Sequence, residues 1–209
     1  MGQYYRPTAL NKSADVTAND WNPILWQLDS WSFGQGAKLM EHSYIHNPLV
    51  RAVEYLLAQD KEGVPFVWAG DYAENYKGFD TNLFDIGECE NNEDSITTKT
   101  VRLLPHTMQS DEWLKNEMNY RLAPQFEKDY KFVINHSKKL YVVIPPYEKG
   151  AWNIHPLPLL TAESNGLGGG DYFSETNADL VGSWKYDKIS VGDEIPSEDY
   201  KELKAIFKE

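Results

Sequence analysis

Carboxylates gathered beside a backbone rich in free N–H groups can hold a divalent ion or exchange protons with a small polar substrate. This sequence offers Asp71, Asp171 and Asp187 for that work, with Glu41 and His155 as further candidates. Asp171 closes the run Asn165-Gly166-Leu167-Gly168-Gly169-Gly170-Asp171, within a stretch from His155 to Trp184 that also holds the apolar run from Pro156 to Leu160. Glycine at this density is costly in backbone entropy and is found where φ must be positive or another group must approach closely. One reading makes Asn165, Gly168, Gly169 and Gly170, with Trp184 beyond them, a ligand-binding loop whose N–H groups face an anion. The spacing fits neither a phosphate loop nor the dinucleotide fingerprint, and Asp171 would repel an anion. The sequence therefore favours the other reading, a tight connection between two buried segments.

The triplet Gly70-Asp71-Tyr72 is echoed at Gly170-Asp171-Tyr172. If each follows a buried segment, both carboxylates project from one edge of a sheet. Other constellations are incomplete. His42 and His46 are four apart, but no Glu-x-x-His pattern accompanies them and Asn47 starts a fresh helix, so no metal-ligand set can be written. No nucleophile elbow is present, and Cys89 sits among acids that would raise its thiol pKa. His136 falls in a hairpin and His155 before a proline. No cofactor motif is complete, and the cofactor stays unspecified.

The 209 residues carry a net charge of −12 and are 41% hydrophobic and 13% aromatic. That is ample for one core, and the expectation is a single domain. The negative surplus argues against direct binding of nucleic acid or an anionic membrane and leaves a basic protein partner open. One cysteine permits no intrachain disulfide. No apolar run is long enough to span a membrane, the N-terminus lacks the features of a secretory signal, and Arg6 defeats a myristoylation pattern; the expectation is a soluble protein of the cytoplasm.

Elements that must position these residues can be read in order. Adjacent aromatics at Tyr4 and Tyr5 predict a short strand halted by Pro7. Trp21, Trp26 and Trp31 recur every five residues, which fits neither helix nor strand; they are read as indoles over the core's edge in preference to a ligand-stacking platform. Phe33 to Gly36 is a turn. Asn47-Pro48 predicts a helix from Asn47 to Gln59, with Leu49, Val50, Val53, Leu56 and Leu57 inward and Arg51 and Glu54 outward. Pro65 to Ala69 is a buried strand, followed by an acidic solvated loop at about 71–94. A strand at Thr100 to Leu104 and a helix from Ser110 to about Leu122 follow, then a hairpin of Lys131 to Asn135 and Leu140 to Ile144. Strand is expected over Leu180 to Tyr186 and Ile189 to Val191, and a last helix from Pro196 to Phe207. The class is α+β: one compact domain with a mixed or antiparallel sheet, hairpins and about three helices.

Met1-Gly2-Gln3-Tyr4-Tyr5, Phe33 to Glu41, Ala69-Gly70-Asp71-Tyr72, Asn165 to Asp171 and Val181-Gly182-Ser183-Trp184 together resemble a family of uncharacterised bacterial and phage-associated proteins. Its members commonly have Arg where this chain has Leu167, and Ala-Gly-Asp where it has Lys185-Tyr186-Asp187. The resemblance implies no activity; it singles out Glu41, Asp71, Asn165, Asp171 and Asp187. With no catalytic constellation complete, the favoured function is a non-catalytic protein-binding or inhibitor-type protein, whose Trp, Tyr and negative charge make a surface for a basic partner. The alternative is a metal-dependent or acid–base enzyme working through the Asp cluster beside the glycine-rich loop. Oligomeric state is not legible.

Overall fold

The computed structural model describes residues 2–12, 23–86, 127–150, 152–163 and 168–208. Trp21, Cys89, Asn165, Leu167, most of the acidic run after Asp85, and the elements expected at Thr100 to Leu104 and Ser110 to Leu122 lie outside the described residues. Those described form an α+β domain around one seven-stranded sheet. The strands are β1 (Tyr5–Leu10), β2 (Ile24–Gln27), β3 (Val64–Gly70), β4 (Phe132–Asn135), β5 (Leu140–Val143), β6 (Lys188–Gly192) and β7 (Lys201–Glu202). The helices are α1 (Leu39–His42), α2 (Pro48–Leu57), α3 (Leu83–Ile86) and α4 (Pro156–Thr161). Strand order is β2-β1-β3-β6-β4-β5-β7, and every neighbouring pair is antiparallel except β5 with β7.

β3 is buried on both faces, which is why Pro65 to Ala69 reads as a nearly continuous apolar run. Phe66 and Trp68 enter the main core with α2 and α4, alongside Leu57, Leu160 and Trp184. Val67 and Ala69 face a smaller cluster closed by Leu83 and Phe84 of α3. The acidic segment after Asp71 is therefore not solvated throughout: a four-residue helix inside it covers the second face of the sheet. Asn82 holds that helix, its Oδ1 accepting from Asp85 N–H at 2.9 Å and its Nδ2 donating to the Asp71 carbonyl at 3.1 Å.

α2 starts where the sequence places it, with Asn47 Oδ1 accepting from Leu49 N–H at 3.0 Å and Pro48 in the first turn. Glu54 is a correction: it is buried, because His155 reaches across to it. The β4–β5 hairpin forms as read.

Three expected elements differ. β1 runs through Pro7. The Pro7 carbonyl accepts from Leu28 N–H, so the proline nitrogen faces the same side, beyond the end of β2 at Gln27, and its missing N–H costs no bond to β3. Leu180 to Tyr186 is not strand: a 3-10 turn (Ala178–Leu180) leads into left-handed residues at Gly182 and Tyr186, which break any extended run. No helix spans Pro196 to Phe207. β7 instead covers the edge of β5, and beyond it Ala205 and Phe207 alternate inward, Phe207 meeting Tyr172 edge-on at 5.4 Å.

Candidate functional site

The first residues of β1 are where the scattered motifs meet. Tyr5 pairs with Gly70, and just past that pair Tyr4 N–H donates to Asp71 Oδ1 at 2.9 Å while Asp71 N–H donates to the Tyr4 carbonyl at 3.0 Å. The buried Tyr5 hydroxyl donates to Asp171 Oδ1 at 2.5 Å. Tyr5 N–H donates to the Ala37 carbonyl, Met40 N–H donates to the Gly170 carbonyl, and Gly2 bridges Gly169. Both carboxylates of the Gly-Asp-Tyr echo thus attach to adjacent tyrosines, and each is close enough for Asp171 to raise the Asp71 pKa.

The glycines here are places where chains cross. A Cβ on Gly168 would lie 2.2 Å from Gln3 Cβ, and one on Gly70 would lie 2.7 Å from the Glu163 carbonyl oxygen. The space a ligand would need beside Gly168 is occupied by Gln3. Gly170 has φ +91° and packs against the Lys38 side chain. Gly170→Ala should therefore destabilise by about 1 kcal/mol or more. Gly169, which is exposed and outside the positive-φ set, should accept alanine at a cost below about 0.5 kcal/mol. Chemical denaturation of the two variants checks this contrast, and equal losses would contradict it.

The remaining candidates are not gathered at this point. Glu41 Oε2 accepts from Lys38 N–H at 3.1 Å and caps α1. Asp187 Oδ2 accepts from Asn135 Nδ2 at 2.8 Å and from Lys138 Nζ at 2.7 Å, pinning the β4–β5 hairpin. Trp184 is in the core, its backbone N–H donating to the Leu160 carbonyl, so it offers no face to a solvent-borne ligand. His155 caps α4, with Nδ1 accepting from Leu157 N–H at 3.1 Å and Nε2 on Glu54 Oε1 at 2.9 Å. Among the described residues no three His, Cys, Asp or Glu side chains are arranged to hold a metal ion.

The other histidines are also engaged. Trp68 Nε1–H donates to His42 Nε2 at 2.8 Å, which leaves the His42 proton on Nδ1, facing the Gly36 carbonyl at 2.9 Å. Burial pushes the His42 pKa down to about 4 against the opposing pull of Gly36 and Glu41. His136 contacts Tyr200 and Ser190 through its two nitrogens, and its pKa is lowered, mainly by burial.

On the solvent side of Tyr4 lies an open cleft of about 470 Å³. Asp29, Asp71 and Asp85 line it, with Arg6 as its cation. Arg6 is held over the Phe84 ring at 4.2 Å and lies 4.0 Å from Asp29. Burial raises the Asp71 pKa, opposed by the Tyr4 N–H and reinforced by Asp85 and Asp171. Trp31 is 68% exposed and Tyr4 44%, so two large rings stand at the rim of an acidic hollow. Sequence reasoning missed Asp29 and Arg6 and set the platform reading of Trp31 aside; the five-residue recurrence of tryptophan was the available signal. Trp26, by contrast, is buried against Phe66.

Comparison with protein-family models, with curated proteins and with solved structures gives no match. Among the described residues no helix is long and apolar enough to cross a membrane.

Proposed function

We propose that this chain is a non-catalytic binding protein that receives a basic protein partner on the cleft of Tyr4, Trp31, Asp29, Asp71 and Asp85, as an inhibitor of the phage type would. The observation that carries the reading is the cleft itself: exposed rings beside three carboxylates and one arginine, on a chain of net charge −12. Aromatic rings supply contact area at low entropic cost and attract cations through their faces, while carboxylates steer a basic partner in. Engagement of His42, His136 and His155 in structural contacts weighs against general-base catalysis by these imidazoles.

The test is association kinetics with a partner captured from the native host. Asp71→Asn with Asp85→Asn should slow association several-fold, on the order of the lower end of electrostatic steering, and change dissociation less, with the rate falling as salt rises. An association rate insensitive to both salt and these substitutions would contradict the proposal. A second reading, an acid–base enzyme for a small polar substrate, draws on the raised pKa of Asp71 beside Asp171. It requires Asp71→Asn to abolish a turnover, whereas the binding reading requires only weakened association.

A further inference from the structure

A second cavity, of about 530 Å³, lies away from the acidic cleft, between α2, the β4–β5 hairpin and His155. Its size is in the range of small-molecule sites. Much of its wall is apolar, formed by Phe132, Val143, Ile144, Pro145 and Pro146, and Glu54 lines it as well. Glu54 is 6% exposed. Its Oε1 accepts from His155 Nε2 at 2.9 Å. His155 Nδ1 is already accepting from Leu157 N–H, so the imidazole's single proton is on Nε2 and the ring is neutral. The nearest cation on the same helix, Arg51, is turned to Asp129 at 3.0 Å. Glu54 therefore has one neutral donor on one oxygen, and its Oε2 has no protein donor among the described residues. That oxygen opens on the cavity, where a charged donor makes a stronger bond to a carboxylate than water does.

We propose that this cavity binds a small organic amine, its ammonium donating to Glu54 Oε2 and its hydrocarbon part lying on Phe132, Ile144 and Pro145. Lys131, His46 and Asp129 also line the cavity, with His46 Nε2 on Asp129 Oδ1 at 2.8 Å, so selectivity rests on the charge at Glu54. A carboxylate ligand would meet Glu54 with like charge, and an alcohol of the same shape would supply a donor without neutralising the buried charge. The inference is independent of the partner-binding reading, since it uses a different cavity and none of the same residues.

Calorimetric or NMR titration of the intact protein with hexylamine, and with 1-hexanol as the uncharged control, tests it. Saturable binding of the amine, at least tenfold tighter than the alcohol, is expected. Glu54→Gln should remove that preference. Because Glu54→Gln disturbs a buried pair and could unfold the chain, Val143→Trp provides a second variant. Val143 is 46% exposed at the cavity lip, so its indole can block the entrance without entering the core. Loss of amine binding in folded Val143→Trp supports the site. No saturable binding by the wild type, equal affinity for amine and alcohol, or unchanged binding in folded Val143→Trp would each overturn it.

Discussion

Trp68→Ala is expected to destabilise the fold by about 3–5 kcal/mol, the range for truncating a fully buried large aromatic side chain. Trp68 has no exposed surface and lies at a junction of the structure. Its backbone pairs with Pro7 in β1, and its carbonyl accepts from Glu163 N–H just past α4. Its ring packs edge-on to Phe66 at 5.8 Å and stacks with His42 at 5.7 Å, with the indole N–H donating to that imidazole. Alanine at this position leaves a cavity among β1, β3 and α4 and strips a buried nitrogen of its donor. Trp68→Phe should lose less, keeping most of the packing while leaving His42 Nε2 unsatisfied. Urea denaturation of both variants measures the ordering, and a loss below about 1 kcal/mol for alanine would show that the core does not depend on this junction.

A pH-dependent loss of stability should follow from the same pair. The folded pKa of His42 is pushed down to about 4 from an ordinary value of 6.5, so the unfolded chain binds the proton more readily than the folded one. Stability from this group is fully present above about pH 6.5 and falls as the pH drops towards 4, by about 3 kcal/mol at most. His136, half-buried with its pKa also lowered, acts in the same direction below about pH 6.5. His42→Gln should therefore flatten much of the decline between pH 6.5 and pH 4, whatever its stability at neutral pH. Parallel denaturation curves for wild type and variant across that window provide the check. An identical slope in both would mean that His42 is not held neutral by burial.

Local signals in the chain read well because local chemistry decides them. Asn47-Pro48 marks the start of α2, since cap and fixed φ act within one turn, and the hairpin around His136 to Lys139 follows from two β-branched runs and a short polar link. The apolar run at Pro65 to Ala69 signals burial on both faces. What was hidden depends on partners distant in sequence. Glu54 reads as an exposed helix residue until His155, 101 positions later, is brought to it. Pro7 reads as a stop until the end of β2 is known to lie beside it. Tyr200, Leu203 and Phe207 share a helical face by spacing, yet the open edge of β5 pairs with Lys201–Glu202 as a strand, and the chain runs on from there without helix. The candidate site shows the same division. The Gly-Asp-Tyr echo points to two carboxylates that do meet neighbouring tyrosines, whereas Glu41 is taken up by Lys38 three positions away and Asp187 by Asn135 and Lys138, 52 and 49 positions earlier in the chain. Asp29 and Arg6 were missed because an acid and a base separated in sequence give no sign that they will line one cleft with Trp31.

The central claim is that the cleft beside Trp31 recognises basic groups, and a site-resolved NMR titration with a lysine-rich peptide tests it most directly. Saturable shifts should centre on the Trp31 indole and the backbone amides of Tyr4, Asp71 and Asp85, weaken as salt rises, and vanish in the folded Asp29→Asn, Asp71→Asn, Asp85→Asn variant. Shifts spread over the acidic surface without a centre at Trp31, or the same shifts in the neutralised variant, would contradict the claim.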